Sequence, residues 1–502
     1  MRLSIPSSIL SSTLFACLTA LIPVQVASQI TLGETLELES EVLEETRELW
    51  ISTPESYSES AAGYPVVYLL DGTDNFLHTS AISQFLAKAE RIPELIVVAI
   101  RNTDRGRDFT PPSDSANDQA NFQSLGGAGA FQRFLKEELF PYIENNLNTH
   151  PYRVLIGHSL GGLFALHTLT SVPDLFDGYI AISPTLDWSN QVLVDQTSEF
   201  LAAQSELSID LYLSKGNESG TIQAAFRKLT GVLAEFTPRD FRWDFSESPE
   251  EHHGSIPLPA TYYGLLGIFS GWALNNPVEI YNIGGVAAMR EVYEKSGKRF
   301  GYERSLPNIT LLQLVNTLIS ENRLDAAAAV LLEDFTAVPP SYFLNLLANE
   351  YRQAGDETRA QALYQISLAN NPTDEVASHG LAEMGIDTQA QRSDIISIEP
   401  GLLSEYTGEY RVTDDFILTI FIEDGELYQQ GSSQRAAKLV ALSENRFSVA
   451  GGDSQIEFRA AAGSDIDRLI LSQFGREIEA LKLPRKQRKM HENAGVSATD
   501  WS

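Results

Sequence analysis

Cysteine is almost missing from this sequence: Cys17 is the only one among 502 residues. It falls in an opening segment that reads as a cleaved export signal, so the mature chain is expected to carry no thiol. That excludes disulfides, a thiolate nucleophile and thiolate-bound zinc together. Cationic side chains are also scarce, 36 against 67 acidic ones, for a formal charge of −31. Such a surface repels phosphate backbones and rules out a nucleic-acid partner; it is the solvated surface of a soluble or salt-adapted protein. Beyond the opening segment no stretch reaches the roughly 18 uninterrupted apolar residues that span a bilayer. With 43% hydrophobic and 21% charged residues the composition is near the globular average, which excludes bulk disorder and a polytopic membrane protein. At roughly 150 residues per domain, the length predicts two to four domains.

The opening segment sets the expected compartment. Arg2 precedes an apolar stretch from Ile9 to Val26, which ends in the small residues Ala27-Ser28. That order predicts a signal peptide over 1–28, cut before Gln29, and a periplasmic or secreted protein. The alternative is a lipoprotein signal, Leu14-Phe15-Ala16-Cys17, with Cys17 acylated, which is the only membrane attachment the sequence offers. Phe15 is bulky for that site and the apolar run continues past Cys17.

Three textures follow. Over 29–275 short apolar runs alternate with amphipathic helical stretches, the pattern of a mostly parallel sheet covered on both faces. The runs 65–70, 95–100, 153–156, 179–182 and 209–213 are continuous rather than alternating, as expected of strands buried on both sides. A helix is predicted over Ala130–Asn145 from the spacing of Phe131, Phe134, Leu135, Leu139, Tyr142 and Ile143. Over 276–395 helices follow one another. Leu311, Val315, Leu318, Asn322, Ala327 and Leu331 are matched 33 residues later by Leu344, Ala348, Tyr351, Gly355, Ala360 and Tyr364, which suggests tetratricopeptide-like hairpins. Such hairpins serve as a packed spacer or bind a peptide or protein partner. Over 396–484 the segments alternate, and Phe416–Ile422 followed by Glu423-Asp424-Gly425 is a hairpin signature, so a small β-sandwich or barrel is expected as a non-catalytic accessory domain. Residues 485–502, opening Arg485-Lys486-Gln487-Arg488-Lys489, form an expected mobile basic tail.

The chemistry centres on Gly157-His158-Ser159-Leu160-Gly161-Gly162. Gly-x-Ser-x-Gly alone is a weak signal, but here an apolar strand runs directly in and a helical stretch directly out. In that setting the glycines permit a strained turn and lift the Ser159 hydroxyl above the sheet as a nucleophile. A hydroxyl is inert at neutral pH, so a histidine base and an orienting carboxylate are required. The acid is expected after the second following strand, which ends at Lys215-Gly216-Asn217-Glu218, and the base after the third, which leads to His252-His253. Spacing does not choose between the two histidines, and Asp244, Glu247 or Glu251 could replace Glu218. Adjacent histidines rarely converge on one ion and no third ligand is evident, so no metal is assigned, and no organic cofactor is needed. The oxyanion needs preorganised N–H donors: Leu160, and Thr73 or Gly72 in the turn after Leu70.

Five collinear motifs carry a family resemblance. They are Tyr64-Pro-Val-Val-Tyr-Leu-Leu-Asp71-Gly72; Asn102-Thr-Asp-Arg-Gly-Arg-Asp-Phe-Thr-Pro111; Gly126-Gly127-Ala128 before a helix that ends Glu138-Leu-Phe-Pro-Tyr-Ile143; Gly157–Gly162; and His253-Gly-Ser-Ile-Pro257. Together they resemble the putative esterase family of α/β-hydrolases, esterase D-like and siderophore (enterochelin) esterase-like enzymes, over about Ile30 to Gly271. The resemblance implies an α/β-hydrolase fold and a Ser-acid-His ester hydrolase acting on a small-molecule ester. Its Glu-x-His-x-Ser spacing falls on Glu251, His253 and Ser255 and selects His253; its glycine followed by a glutamate after the preceding strand falls on Gly216 and Glu218. Arg107 and Asp108 match a pocket-edge element, although an internal ion pair bracing the loop fits them equally. His158 and Trp188 complete the substrate-pocket candidates, with Thr185-Leu186-Asp187-Trp188 standing where many relatives carry an aromatic pair after Ser-Pro. The rival functions are acyl transfer by the same triad, and a binding scaffold with a vestigial hydrolase core.

Overall fold

A computed structural model describes residues 31–57, 62–218, 220–387, 398–413, 416–432, 434–450, 452, 454–460, 466–473 and 476–484. The expected signal, the expected boundary at 395/396 and the expected tail lie outside them. The chain forms two compact units, Met1–Ile268 and Phe269–Ser502.

The first unit is built on an eight-stranded sheet: β1 (Glu34–Ser40), β2 (Glu45–Ser52), β3 (Tyr64–Leu69), β4 (Ile96–Ile100), β5 (Thr149–His158), β6 (Gly178–Ile182), β7 (Asp210–Lys215) and β8 (Arg242–Glu247), in the order β1-β2-β4-β3-β5-β6-β7-β8. Strands β3 to β8 are parallel, and the β1–β2 hairpin joins β4 antiparallel. The five apolar runs of the sequence become β3 to β7. Every residue of β3, β4, β6 and β7 is buried, as a sheet covered on both faces requires. The covering helices are α1 (Gly72–Lys88), α2 (Arg105–Phe109), α3 (Ala116–Asn121), α4 (Ala128–Phe134), α5 (Phe140–Asn146), α6 (Leu160–Ser171), α7 (Val192–Ala202), α8 (Gly220–Glu235) and α9 (Pro257–Ile268).

The predicted single helix over Ala130–Asn145 is instead α4, a π-helical turn at Leu135–Leu139, and α5. Pro141 has no N–H to give the carbonyl one turn back, and a wider turn before it absorbs the missing bond. The β1–β2 hairpin went unrecognised in the sequence. Its strands lie at the sheet edge, half buried and charge-rich, and β1 alternates too weakly to be distinguished from a loop.

The second unit opens with α10 (Pro277–Phe300), α11 (Asn308–Ser320), α12 (Leu324–Ala329), α13 (Ser341–Gln353), α14 (Glu357–Asn370) and α15 (Glu375–Glu383). Of the twelve positions paired at the 33-residue offset, ten are buried in one core. The remaining two, Asn322 (φ 57°) and Gly355 (φ 84°), take left-handed conformations at the turns, which asparagine and glycine adopt most readily. After α16 (Pro400–Tyr406) come β9 (Gly408–Arg411), β10 (Ile417–Glu423), β11 (Glu426–Gly431), β12 (Ala437–Ala441), β13 (Arg446–Val449), β14 (Gln455–Ala460), β15 (Ile466–Gln473) and β16 (Arg476–Lys482). These eight strands form a closed antiparallel barrel, which decides between sandwich and barrel. The two-residue turn Asp424-Gly425 has positive φ at both positions, as the twist of a tight hairpin demands.

Gly380 of α15 lies against the fully buried Tyr364 of α14, and a Cβ there would meet ring carbon Cζ at 2.5 Å. Gly380→Ala should therefore destabilise the full chain by about 1–3 kcal/mol, the usual cost of overpacking. A lowered thermal midpoint checks this; an unchanged one would show that the helix pair yields to the extra methyl group.

Candidate active site

Strand β5 ends at His158 and α6 begins at Leu160, so Ser159 occupies the whole turn, at φ 61° and ψ −115°. A non-glycine residue in that region stores about 1–3 kcal/mol of strain, which the surroundings must offset. They do so with hydrogen bonds: the Ser159 N–H donates to Ile182 O (2.9 Å), and its carbonyl accepts from Leu163 (3.0 Å) and Thr185 (3.1 Å). The glycines are steric necessities. A Cβ on Gly157 would sit 2.1 Å from Gly161 O, and one on Gly162 3.0 Å from Pro184 Cα. The Ser159 hydroxyl projects toward Thr185, with 3.4 Å between Oγ and Oγ1.

The loops after β7 and β8 are tied to each other before they present any chemistry. The Asn217 N–H donates to Glu251 O (2.6 Å), and a Cβ on Gly216 would stand 2.8 Å from that same oxygen. Ser255 Oγ donates to Glu251 Oε2 at 2.5 Å. On this frame His253 Nδ1 lies 2.6 Å from Glu218 Oε1. A carboxylate there fixes the ring proton on Nδ1 and leaves Nε2 bare as an acceptor. His252 turns elsewhere, its Nδ1 accepting from the Gly254 N–H at 3.1 Å. The other candidate acids are likewise occupied: Glu251 by Ser255, Glu247 by Lys215 (3.2 Å), Asp244 by the Phe245 N–H (2.8 Å). His253 lies over the ring of His158, the neighbour of Ser159, with 4.6 Å between ring centroids. The structure thus brings His253 and Glu218 into direct contact and sets them beside the Ser159 turn through His158.

The loop after β3 completes the cluster. Asp71, at φ 53°, caps α1, and its carbonyl accepts from Asp74 and Asn75, so the N–H groups of Gly72 and Thr73 precede the first bonded donors. Its buried carboxylate is held by Arg105 (Nε–Oδ1 2.6 Å, Nη2–Oδ2 2.9 Å) and by Asn102 Nδ2 (2.6 Å). Arg105 also donates to the His158 carbonyl at 3.0 Å, clamping this loop to the Ser159 turn. A Cβ on Gly161 would be 3.4 Å from Leu70 and 3.5 Å from the Asp71 carboxylate, so the first turns of α1 and α6 adjoin. Leu160 is the first residue of α6, where the backbone N–H has no intrahelical acceptor. Asp71, Asn102, Arg105 and Thr185 escaped the sequence reading, although the first three lie inside the quoted motifs.

Arg107 and Asp108 are not free at a pocket edge. Arg107 reaches Glu45 (Nη2–Oε1 2.7 Å) and Asp108 (2.7 Å), and the fully buried Asp108 also pairs with buried Arg47 (2.5 Å). This is the internal brace, and it ties α2 to β2. Burial acts to raise the Glu45 carboxyl, but hydrogen bonds from Arg107 and the charge of Arg47 outweigh it and hold the group low. Trp188 is buried too, packed edge-on to Phe122 at 5.4 Å, so it supports the loop after β6 rather than facing solvent. Among the described residues no three His, Cys, Asp or Glu side chains gather as a metal site requires.

With this geometry in place, comparison with known proteins is decisive. The putative esterase family model matches residues 40–232. The ferri-bacillibactin esterase BesA of Bacillus subtilis is 33% identical over 233 residues, spanning 42% of this chain and 80% of that enzyme. The chain belongs to the putative esterase family. A siderophore enterobactin esterase of Emericella nidulans is 33% identical over 183 residues, 32% of this chain and 59% of that protein. An uncharacterised protein from Capnocytophaga ochracea shares the fold at a TM-score of 0.50 and 15% identity, over 66% of this chain and 93% of its own. Membership in the family makes this putative esterase a carboxylic ester hydrolase, carried on an α/β-hydrolase fold.

Burial lowers the pKa values of His78, His158 and His167, that of His158 to about 4, where the charge of His253 adds to the effect. These side chains are neutral in the fold but take up protons once unfolded. The unfolded state therefore binds more protons below about pH 6.5, and stability should fall as pH drops from there toward 4, levelling off once His158 is protonated in the fold as well. Urea midpoints between pH 7 and 5.5, where carboxylates of ordinary pKa remain ionised, should decline, and less so in His167→Phe. A flat profile would contradict the buried neutral state.

Proposed function

We propose that this chain hydrolyses its ester through an acyl-enzyme, with Ser159 as nucleophile, His253 as base and Glu218 as the carboxylate that orients it. The observation that carries the reading is the 2.6 Å contact between His253 Nδ1 and Glu218 Oε1 beside the strained turn at Ser159. Ser159 Oγ attacks the carbonyl carbon while His253 Nε2 takes its proton, and Glu218 compensates the imidazolium charge. The carbonyl π electrons move to oxygen, and that oxyanion accepts hydrogen bonds from the N–H groups of Leu160 and Thr73, with Gly72 adjoining. Collapse breaks the C–O bond, and the departing alkoxide takes the proton back from His253. Water then repeats the sequence on the acyl-enzyme, releasing the acid and restoring Ser159.

The substrate we propose is a siderophore-type ester, by analogy with the bacterial and fungal relatives whose names record that activity. The setting we propose is outside the cytoplasm, following the expected signal over 1–28; the mass of the mature N-terminus tests it.

Ser159→Ala should lower kcat for a p-nitrophenyl ester by at least ~10³-fold, and Glu218→Gln by ~10²-fold or more, with the melting curve nearly unchanged. Undiminished turnover in Ser159→Ala would overturn the triad. Mass spectrometry of enterobactin and triacetylfusarinine C incubated with the enzyme should show hydrolysed ester bonds. If a p-nitrophenyl ester is cleaved and neither siderophore is, the substrate class falls while the triad stands.

A further inference from the structure

The strand residue before the proposed nucleophile lies against the proposed base. The His158 ring is 4.6 Å from that of His253, tilted by 44°. The Nε2 of His158 is fully buried with no partner among the described residues, so it is not presented to a substrate. His158 is in turn fixed at its carbonyl by Arg105 (3.0 Å), within the same cluster as Asp71.

Resting on the proposed triad, we infer that His158 is a positioning residue for the base, a wall that sets the plane of the His253 imidazole between Glu218 and Ser159. The need for such a device follows from the geometry. One hydrogen bond at Nδ1 leaves the ring free to swing about the Nδ1···Oε1 axis, and the His253 side chain is 41% exposed, so solvent does not restrain it. A ring packed against its buried side restricts that freedom, and misplacement by about 1 Å at a reacting group costs on the order of 10²-fold in rate. Histidine supplies that ring at the end of β5. It also remains neutral, held down first by burial, so it adds no second positive charge when His253 is protonated. The charged groups around it are Asp71 and Arg105 on one side and the His253–Glu218 pair on the other.

This role leaves a signature that loose packing would not. An alkyl ester needs His253 twice, to take the Ser159 proton and to protonate the departing alkoxide; a p-nitrophenolate leaves without a proton. His158→Ala should therefore lower kcat for an alkyl ester at least tenfold more than for a p-nitrophenyl ester of the same acid, with KM changed less than about threefold. His158→Phe, which keeps a ring at that place, should retain a leaving-group ratio close to wild type. Equal losses on the two esters in His158→Ala, or an effect confined to KM, would overturn the positioning role. If His158→Ala does not fold, His158→Leu, which keeps bulk without a ring, takes its place, and a wild-type ratio there refutes the inference. His253→Ala in the same assays separates the two claims. Retained activity would sink the triad, whereas an inactive His253→Ala beside a leaving-group-blind His158→Ala or His158→Leu sinks only this inference.

Discussion

The backbone at Ser159 is the constraint around which the first unit is organised. A positive φ at a residue with a side chain is unfavourable, so β5, α6 and the loop after β6 hold it in place. Gly157 and Gly161 approach so closely that a single methyl group at Gly157 would overlap the Gly161 carbonyl. The parallel sheet then supplies distance as well as support. Strands β3, β6, β7 and β8 run the same way as β5, so the loops that follow them open at the same edge as the Ser159 turn.

That shared edge explains why charge is invested in the loops. Asp71 is a buried carboxylate in a left-handed conformation, costly on both counts, yet Arg105 and Asn102 satisfy it, and Arg105 extends the arrangement to the His158 carbonyl. The Glu251–Ser255 and Glu251–Asn217 bonds perform the same service on the other side, where two loops 35 residues apart in the chain must place His253 and Glu218 in register. Both sets convert flexible connections into fixed distances, on which catalysis by orientation depends.

What could be read from the sequence follows the range of the forces involved. The parallel strands were legible because burial on both faces favours long apolar runs, and the strained turn at Ser159 because such a turn needs glycines at fixed offsets. The hairpin at Asp424-Gly425 was legible for a similar local reason. The hairpin strands β1 and β2 were not, since strands half exposed to water at the margin of the sheet carry no such run. Arg107 and Asp108 were ambiguous for a different reason. Their partners Glu45 and Arg47 lie some sixty residues away, and nothing local tells a buried ion network from a pocket edge.

His158 shows the same limit most sharply. The identity of the residue between Gly157 and Ser159 is unconstrained by the turn itself, which asks only for glycine on either flank. Its neighbours in space come from the loop after β8, about 95 residues on, and only the fold reveals that the ring next to Ser159 is also the ring next to His253. The two histidines are then electrostatically unequal by placement. One is enclosed and kept neutral by burial, while the other is half exposed and backed by a carboxylate. In the proposed mechanism a protonated His158 would oppose the charge that forms on His253, so the burial that costs folding stability in acid also favours the charge-separated step. The strand end that leads into the strained turn at Ser159 thus also carries the ring that packs against His253, and one short segment links the two sides of the proposed triad.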